Sequence, residues 1–203
     1  MSLKKRIKQY WERQKQKSTF ARVTDILFVI FVVLLLIPST RREIRTFISR
    51  ITMLQPSVKE NESYKQLDNN DYHWKLQTFN GDAFTLQDLA GNVIFLNFWA
   101  TWCPPCRAEM PAIQELYNQF QDDVIFVLVS NENPQTIQNY FTEQGYELPV
   151  YFSNSEIPVQ LRSNTIPATF IISRKGKIIL EKKGAARWNG AKIKQLLYTL
   201  VSE

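Results

Sequence analysis

The sequence predicts an α/β sandwich with a mixed central sheet, preceded by an N-terminal transmembrane helix. Three observations lead to this prediction. Short apolar runs typical of buried strands alternate with longer amphipathic patterns typical of helices. Both cysteines of the chain lie where one such strand meets one such helix. A separate apolar run of 12 residues, 26–37, follows a basic N-terminal stretch.

The N-terminal region predicts a membrane anchor. Residues 4–22 contain eight basic residues and one acidic residue, and the apolar run follows directly. A spanning helix needs about 20 apolar residues, so a span over residues 23–40 is short but sufficient. The run has no polar face, unlike a buried core helix. Because no small-residue cleavage site follows it, an uncleaved signal anchor is favoured over a cleaved signal peptide.

The distribution of charge indicates an orientation. Eight basic residues precede the run, and four arginines follow it in residues 41–50. The more positive flank stays in the cytoplasm. We therefore expect a single-pass protein of the inner (cytoplasmic) membrane, with residues 1–22 cytoplasmic and the rest on the periplasmic or extracytoplasmic side. Residues 51–203 carry 13 basic and 16 acidic residues, which argues against a nucleic acid partner.

Residues 41–70 connect the anchor to the globular domain. Apolar residues between 41 and 54 recur at helical spacing, with arginines on the other face. This helix would lie along an anionic membrane surface or continue the anchor helix into solvent. The polar residues 55–70 predict a linker. The globular domain is accordingly placed at residues 71–203.

The globular domain follows from the order of its predicted elements. Two short strands are joined by an Asn80-Gly81 turn, and the nearly continuous apolar run Val93–Trp99 predicts a central strand covered on both faces. The first predicted elements are strands at 74–79, 83–86 and 93–99, a helix at 104–120 and a strand at 124–129. A helix from Asn133-Pro134 to about Gly145, a strand at 148–152 and a short helix at 156–161 follow. The domain ends with strands at 168–172 and 177–181 and a last helix capped by Asn189.

The stretch Trp102-Cys103-Pro104-Pro105-Cys106 predicts thiol–disulfide chemistry. A C-x-x-C at a strand-to-helix junction places one sulfur at the helix N-terminus and the other one turn away. A loop this short removes little entropy from the unfolded chain, so the pair is not a structural staple. His73 is the only histidine and precedes the first strand, which makes a poor metal site with two cysteines. We predict no metal and no cofactor.

The residues around this motif resemble the active-site signature of the thioredoxin superfamily, in particular of its membrane-anchored TlpA/ResA-like branch. The resemblance covers roughly residues 74–202 and implies a thioredoxin-like three-layer sandwich. The N-terminal anchor is typical of this branch and not of soluble thioredoxins. The matching segments are Leu96–Pro111 (active site), Thr165–Phe170 (cis-proline loop), Ser173–Lys177 (the following hairpin) and Thr85–Gly91 (entry to the first central strand).

The expected catalytic residues are Cys103, Cys106 and Glu109. The helix dipole favours a thiolate on Cys103, which would attack a substrate disulfide, and Cys106 would resolve the mixed disulfide. By resemblance, Glu109 matches a glutamate of the branch and would take a proton from Cys106 during resolution. The plain alternative is a first-turn acid that favours the helix dipole. Asn97, which matches an asparagine of the branch, is expected to support the site.

The expected substrate-binding residues are Trp102, Pro104, Pro105, Ile166 and Pro167. The resemblance implies that Pro167 follows a cis bond and faces the cysteines, so that the backbone of Ile166 pairs with an extended substrate segment. Trp102 would shape the docking surface beside Cys103. An ordinary pre-strand proline at position 167 remains the alternative.

Pro105 favours reduction over oxidation. It has no N–H to donate to a thiolate on Cys103, so the reduced form is less stable and the couple more reducing. The predicted function is a membrane-anchored thiol–disulfide reductase of extracytoplasmic proteins. The resemblance implies an integral membrane electron donor and, in many relatives, a role in cytochrome c maturation. A disulfide oxidase or isomerase, or a tethered metal-carrying or interaction module, remains the alternative.

Overall fold

The computed structural model describes residues 19–36, 38–56 and 65–203. It divides into two compact units, whose boundary lies between Ile44 and Arg45. Helix α1 spans Thr19–Leu36, and helix α2 spans Pro38–Thr52. Among the described residues, none of the helices combines the length and the apolar character that crossing a membrane requires. Most of the predicted basic segment, residues 1–18, and residues 57–64 of the predicted linker lie outside the described residues.

The globular unit is built on a seven-stranded mixed sheet, which confirms that part of the predicted fold. The strand order is β2-β1-β5-β4-β3-β6-β7. Strands β3, β4 and β5 run parallel, and the other neighbours are antiparallel. The strands are β1 (Lys75–Gln77), β2 (Ala83–Thr85), β3 (Val93–Phe98), β4 (Val124–Val129), β5 (Val150–Ser153), β6 (Ala168–Ile172) and β7 (Ile178–Lys183).

Three helices cover one face of this sheet: α3 (Pro104–Phe120), α4 (Pro134–Gln144) and α5 (Ala191–Ser202). Because successive strand residues point to opposite faces, Phe95 and Phe126 pack with these helices, whereas Leu96 and Val127 belong to the core on the other face. Short 3₁₀ turns at 71–73, 86–89 and 159–161 lie in the chain segments that cover this second core. The third layer therefore consists of turns rather than of long helices.

The chain pairs with the sheet before residue 71, where the globular domain was predicted to begin. The amide of Leu67 donates to the carbonyl of Gly176 at 3.0 Å, and the amide of Ile178 donates to the carbonyl of Lys65 at 2.9 Å. Leu67 is buried in the core on the turn-covered face. Residues 65–67, assigned to the linker from their polarity, thus pair with residues 176–178 at the start of the edge strand β7.

Two local predictions are wrong. Gly190, and not Asn189, is the residue before the first turn of α5, and the Asn189 side chain instead donates to Glu115 at 2.6 Å. An asparagine at this place can bond to either partner, and the neighbouring α3 offers the carboxylate. The predicted short helix at 156–161 forms only the 3₁₀ turn Val159–Leu161, because Pro158 precedes it.

Candidate active site

The two cysteines lie at the carboxyl end of β3, where the chain enters α3. Cys103 is the residue before the first turn of α3, and it forms a disulfide with Cys106 across a Cα–Cα distance of 5.3 Å. Only 3% of Cys103 and none of Cys106 is exposed. Cys103 is thus the cysteine of the pair that retains some exposed surface.

The first turn of α3 supplies one amide to the exposed side of the pair. The amide of Cys106 donates to the Cys103 sulfur at 3.3 Å. Pro104 and Pro105 occupy the first two helical positions and have no N–H. Of the three residues that follow Cys103, Cys106 is therefore the only one that can stabilise a thiolate with its backbone.

The cis-proline loop lies beside Cys103. The Ile166–Pro167 peptide bond is cis, as expected from the sequence. The carbonyl oxygen of Ile166 is 3.8 Å from the Cys103 sulfur. Pro167 is buried and Ile166 is half-buried, so the Ile166 backbone lies at the edge of the site.

Trp102 is the most exposed residue of the motif. Sixty per cent of its surface is accessible, and Pro104 and Pro105 are half-buried. An exposed indole next to a nearly buried sulfur offers an apolar contact surface for a partner chain. The predicted substrate-binding residues Trp102, Pro104, Pro105 and Ile166 thus surround Cys103.

Glu109 lies one turn after Cys106 and is fully buried. Its Oε2 accepts from the indole Nε1 of Trp188 at 2.9 Å and from the amide of Ala186 at 3.1 Å. Its Oε1 accepts from Nδ2 of Asn97 at 2.9 Å. The carboxyl group therefore faces inward toward the sheet, which a surface acid that merely favours the helix dipole would not do.

Burial dominates the acidity of this carboxyl group. Desolvation raises the pKa of Glu109 to about 7 from the ordinary value of 4.5. The hydrogen bonds from Trp188, Ala186 and Asn97, and the positive charge of Lys182, each lower the pKa and oppose this rise. A carboxyl group with a pKa near 7 can both accept and release a proton at neutral pH, which suits general acid–base work.

Asn97 is the buried polar residue of β3 that orients Glu109. Its Nδ2 donates to Glu109 and also to the Thr169 hydroxyl at 2.8 Å. Thr169 is the partner of Asn97 across the β3–β6 pairing, so both side chains point to the helix-covered face. The Asn97 Oδ1 has no hydrogen-bond partner within the described part of the chain. The supporting position expected for Asn97 is consistent with these bonds.

Some of these contacts have no signal in the sequence. Ala186 and Trp188 follow β7 and reach Glu109 across a separation of 77 and 79 residues. Thr169 is separated from Asn97 by 72 residues. A buried indole N–H usually finds a hydrogen-bond partner, but this rule does not identify Glu109 as the partner of Trp188.

A second carboxylate holds the loop before Cys103. Oε2 of Glu132 accepts from the amide of Thr101 at 2.6 Å, and Oε1 accepts from the Thr101 hydroxyl at 2.7 Å. Glu132 follows β4, which is the parallel neighbour of β3, and both strands end at the same edge of the sheet. These two bonds fix the backbone one residue before Trp102.

The remaining sequence candidates lie away from this chemistry. Trp99 is buried in the core and stacks on Phe141 with ring centroids 5.4 Å apart. His73 is exposed, in the turn before β1. In the part of the chain that the structure describes, no three or more His, Cys, Asp or Glu side chains come together in a way that could hold a metal ion.

A mixed sheet with a C-x-x-C disulfide at the start of α3 and an adjacent cis-proline loop defines a protein of the thioredoxin-like class. A solved structure of a thiol:disulfide interchange protein, thioredoxin family protein, from Chlorobium tepidum TLS has the same fold, with a TM-score of 0.56 and 23% identity over 70% of this chain and 99% of that one. Residues 70–180 match the AhpC/TSA family, and the chain belongs to that family.

Two curated relatives are similar to about half of the chain. Thiol-disulfide oxidoreductase ResA of Bacillus thuringiensis subsp. konkukian is 35% identical over 107 residues, which are 51% of this chain and 62% of ResA. Thioredoxin-like protein YneN of Bacillus subtilis is 31% identical over 109 residues, which are 52% of this chain and 64% of YneN. The match thus covers less than two thirds of the length of either relative.

Proposed function

We propose that this protein is a thiol–disulfide oxidoreductase that works through Cys103 and Cys106. The observation that carries the proposal is the disulfide at the N-terminus of α3, with the Ile166 carbonyl 3.8 Å from the Cys103 sulfur. The positive end of a helix dipole favours a thiolate, which is the reactive form of cysteine. The similarity to ResA, whose name states this activity, supports the same reaction class.

The reaction transfers two electrons from the protein to a substrate disulfide. In the dithiol form, the Cys103 thiolate attacks one substrate sulfur, forms a mixed disulfide and releases the other sulfur as a thiolate. The Cys106 thiol then loses its proton and attacks the Cys103 sulfur. The protein disulfide forms, and the second substrate thiolate leaves. The disulfide between Cys103 and Cys106 is the product state of this cycle.

Glu109 is the proposed acceptor of the Cys106 proton. It is one helical turn from Cys106, on the same side of α3, and is equally buried. Burial raises the pKa of Glu109 to about 7, so the carboxylate is a competent base at neutral pH. Glu109 returns the proton to Cys106 when an electron donor reduces the Cys103–Cys106 disulfide again.

We propose that the physiological direction is reduction. Two prolines occupy the first turn of α3, so Cys106 alone offers its amide to the Cys103 sulfur. Weak stabilisation of the thiolate makes the reduced form a better electron donor. Titration against glutathione or dithiothreitol should give a midpoint nearer to about −270 mV, as in thioredoxin, than to about −120 mV, as in DsbA. A midpoint at the DsbA end would indicate an oxidase or isomerase instead.

We further propose that the protein is anchored in the cytoplasmic membrane with its globular unit on the extracytoplasmic side. The basic stretch 4–22 before the apolar run supports this. Helix α1 also presents apolar side chains such as Phe28 and Phe31, which are 65% and 56% exposed. Substrates would then be disulfide-containing envelope proteins, including the haem-binding cysteines of cytochromes c, with an integral membrane protein as electron donor.

The localisation is tested by fractionation and protease accessibility of the full chain in cells. We expect the protein in the membrane fraction after carbonate washing, with residues 65–203 cleaved by protease only when the outer face is accessible. Recovery in the soluble fraction would contradict the anchor. Protection of the globular unit in spheroplasts would contradict the orientation.

The activity is tested by thiol-dependent reduction of insulin. We expect turnover by the unmodified chain and none by Cys103→Ser, because the nucleophile is lost. Cys106→Ser should form a mixed disulfide and stop there. Equal rates for the unmodified chain and both variants would show that the reduction does not pass through this pair.

A further inference from the structure

We propose that Trp188 is a positioning residue for Glu109, and that the strap formed by residues 53–56 holds the loop on which Trp188 lies. The loop comprises residues 184–190, between β7 and α5. The inference deepens the proposed function and rests on Glu109 being the proton acceptor of the reaction. It connects residues 53–56, which precede the globular domain, to the protonation state of Glu109.

The loop supplies two of the three donors to Glu109. The amide of Ala186 and the indole of Trp188 both bond to Oε2, and Asn97 alone bonds to Oε1. All three are N–H groups, which stabilise the carboxylate and not the neutral acid. The position of this loop therefore governs how easily Glu109 ionises.

Trp188 is held by packing as well as by its hydrogen bond. It is fully buried, and its ring meets that of Phe95 edge-on, with centroids 5.2 Å apart. Phe95 precedes Asn97 by two residues on β3, so both point to the same face of the sheet. This packing fixes the orientation of the indole N–H toward the carboxyl group of Glu109.

The loop is held by several contacts, among them the bond from Asn189 to Glu115 described above. At its start, the amide of Gly184 donates to the carbonyl of Pro167 at 2.8 Å, next to the cis bond. On one side of Trp188, the amide of Arg187 donates to the carbonyl of Leu54 at 3.1 Å. On the other side, the backbone of Gly190 lies so near Gln55 that an added Cβ would be 2.5 Å from the Gln55 Cδ.

The strap therefore acts on Glu109 through the loop. Leu54 bonds to the residue that lies between Ala186 and Trp188, the two donors of Oε2. Residues 53–56 directly follow α2, so displacement of that end of α2 would move both donors together. The charged group that faces Glu109 from β7 is Lys182, whose charge also lowers the pKa of Glu109.

The first test replaces Trp188 by Phe, which keeps the ring and removes the donor. The Glu109 carboxyl carbon is followed by ¹³C NMR with labelled glutamate while the pH is raised. We expect its titration midpoint to rise by roughly one pH unit, and the pH profile of mixed-disulfide resolution to move with it. Trp74→Phe is the matched control, because Trp74 donates from its indole to Ser153 in the other core.

An unchanged Glu109 midpoint in Trp188→Phe would overturn the proposal. If Trp188→Phe does not fold, the NMR signal of the Trp188 indole N–H in the unmodified chain is followed against pH instead. That signal should titrate with the same midpoint as Glu109, and a signal insensitive to pH would also overturn the proposal. Neither reading requires turnover, so failure here is distinguishable from inactivity of the cysteine pair.

The second test is Gly190→Leu, whose side chain would displace the Gln55 side chain from its contact with the loop. Faster exchange of the Arg187 amide with solvent would verify that its bond to Leu54 is lost. We expect the Glu109 midpoint to rise in the same direction as in Trp188→Phe, by a smaller amount. Faster exchange of the Arg187 amide with an unchanged titration midpoint of Glu109 would contradict the role of the strap. A rise of that midpoint while the Arg187 amide stays protected would contradict it as well.

Discussion

At the scale of single residues, the proposed proton transfer depends on the surroundings of Glu109. A carboxyl group with three N–H donors would ordinarily be strongly acidic, because each donor favours the ionised form. Complete burial outweighs them and raises the pKa of Glu109 to about 7. The balance leaves a group that exchanges protons near neutral pH while it remains shielded from water, next to a thiol that must lose its proton.

Replacing Glu109 by Gln tests this role. The amide cannot accept the Cys106 proton, so we expect resolution of the mixed disulfide to slow on the order of 100-fold at pH 7. Stopped-flow release of the second thiol measures this step. Asp122→Asn, at an exposed position just after α3, is the control and should resolve normally. A normal rate in Glu109→Gln would assign the proton to another group.

The same residue predicts how stability depends on pH. Because the folded-state pKa of Glu109 is about 7 and the ordinary value is 4.5, the folded protein holds this proton more tightly than the unfolded chain. The contribution is fully present below pH 4.5, falls as the pH rises toward 7, and is then lost. Urea unfolding of the oxidised protein should show it as the difference from Glu109→Gln, roughly 3 kcal/mol across this interval. A difference independent of pH would contradict the raised pKa.

The sequence was informative for residues with local signals and uninformative for distant ones. Cys103 and Cys106 are recognisable from their spacing, and Pro167 from its neighbours. The carboxyl group of Glu109 was expected near Cys106 because the resemblance matches it to a glutamate of the branch, three positions after the second cysteine. Trp188 and Ala186 meet Glu109 only because β7 returns beside β6 and the following loop crosses α3. No pattern within either segment indicates that contact.

At the scale of elements, the proposed reductive direction rests on the first turn of α3. Pro104 and Pro105 preset the helical backbone, and Pro105 lacks the amide that would otherwise point toward the Cys103 sulfur. The helix still offers its dipole and the amide of Cys106. The turn is therefore well ordered but only weakly stabilises a thiolate.

Pro105→Ala restores one of the missing amides. We expect a lower pKa of the Cys103 thiol and a reduction potential higher by roughly 30 mV, because the reduced form gains a hydrogen bond. Alkylation rate against pH measures the first quantity and glutathione titration the second. Pro111→Ala, farther along α3 on its exposed side, is the control. An unchanged or lower potential in Pro105→Ala would contradict the argument.

The loop between β3 and α3 depends on Glu132. Its carboxylate bonds to both the amide and the hydroxyl of Thr101. In Glu132→Ala we expect hydrogen exchange at the Thr101 amide to be at least about tenfold faster, since bonds to charged groups are worth roughly 1.5–3 kcal/mol. We also expect a higher KM for protein substrates, because Trp102 follows directly. Glu143→Ala, exposed on α4, is the control, and unchanged exchange at Thr101 would show that another contact holds the loop.

Elements with a continuous local pattern were predicted to the residue. Helix α3 has the predicted bounds because its apolar residues follow one period, and strand β4 because its residues form an unbroken apolar run. The predictions failed where tertiary contacts override local preference. Residues 65–67 lie in a polar stretch, yet they pair with residues 176–178 at the start of β7, and Leu67 is buried. Polarity alone does not distinguish an edge segment from a free linker.

At the scale of the whole molecule, the active site lies where segments distant in sequence converge. The parallel strands β3 and β4 end beside it, β6 brings Pro167, and the loop after β7 brings Trp188. The strap after α2 holds that loop through Leu54. The strap follows the predicted anchor in the chain. The proposed membrane attachment is therefore linked to Glu109 through the backbone up to Leu54 and then through the hydrogen bonds of the loop.

The most direct test of the central claim is trapping of partners through Cys103. The full chain with Cys106→Ala is expressed in cells, free thiols are blocked, and mixed disulfides are resolved on non-reducing gels. We predict covalent adducts that disappear on reduction and are absent when Cys103 is also replaced by Ala. The absence of adducts, together with a Cys103 that does not react with alkylating agents, would contradict a thiol–disulfide oxidoreductase acting through this pair.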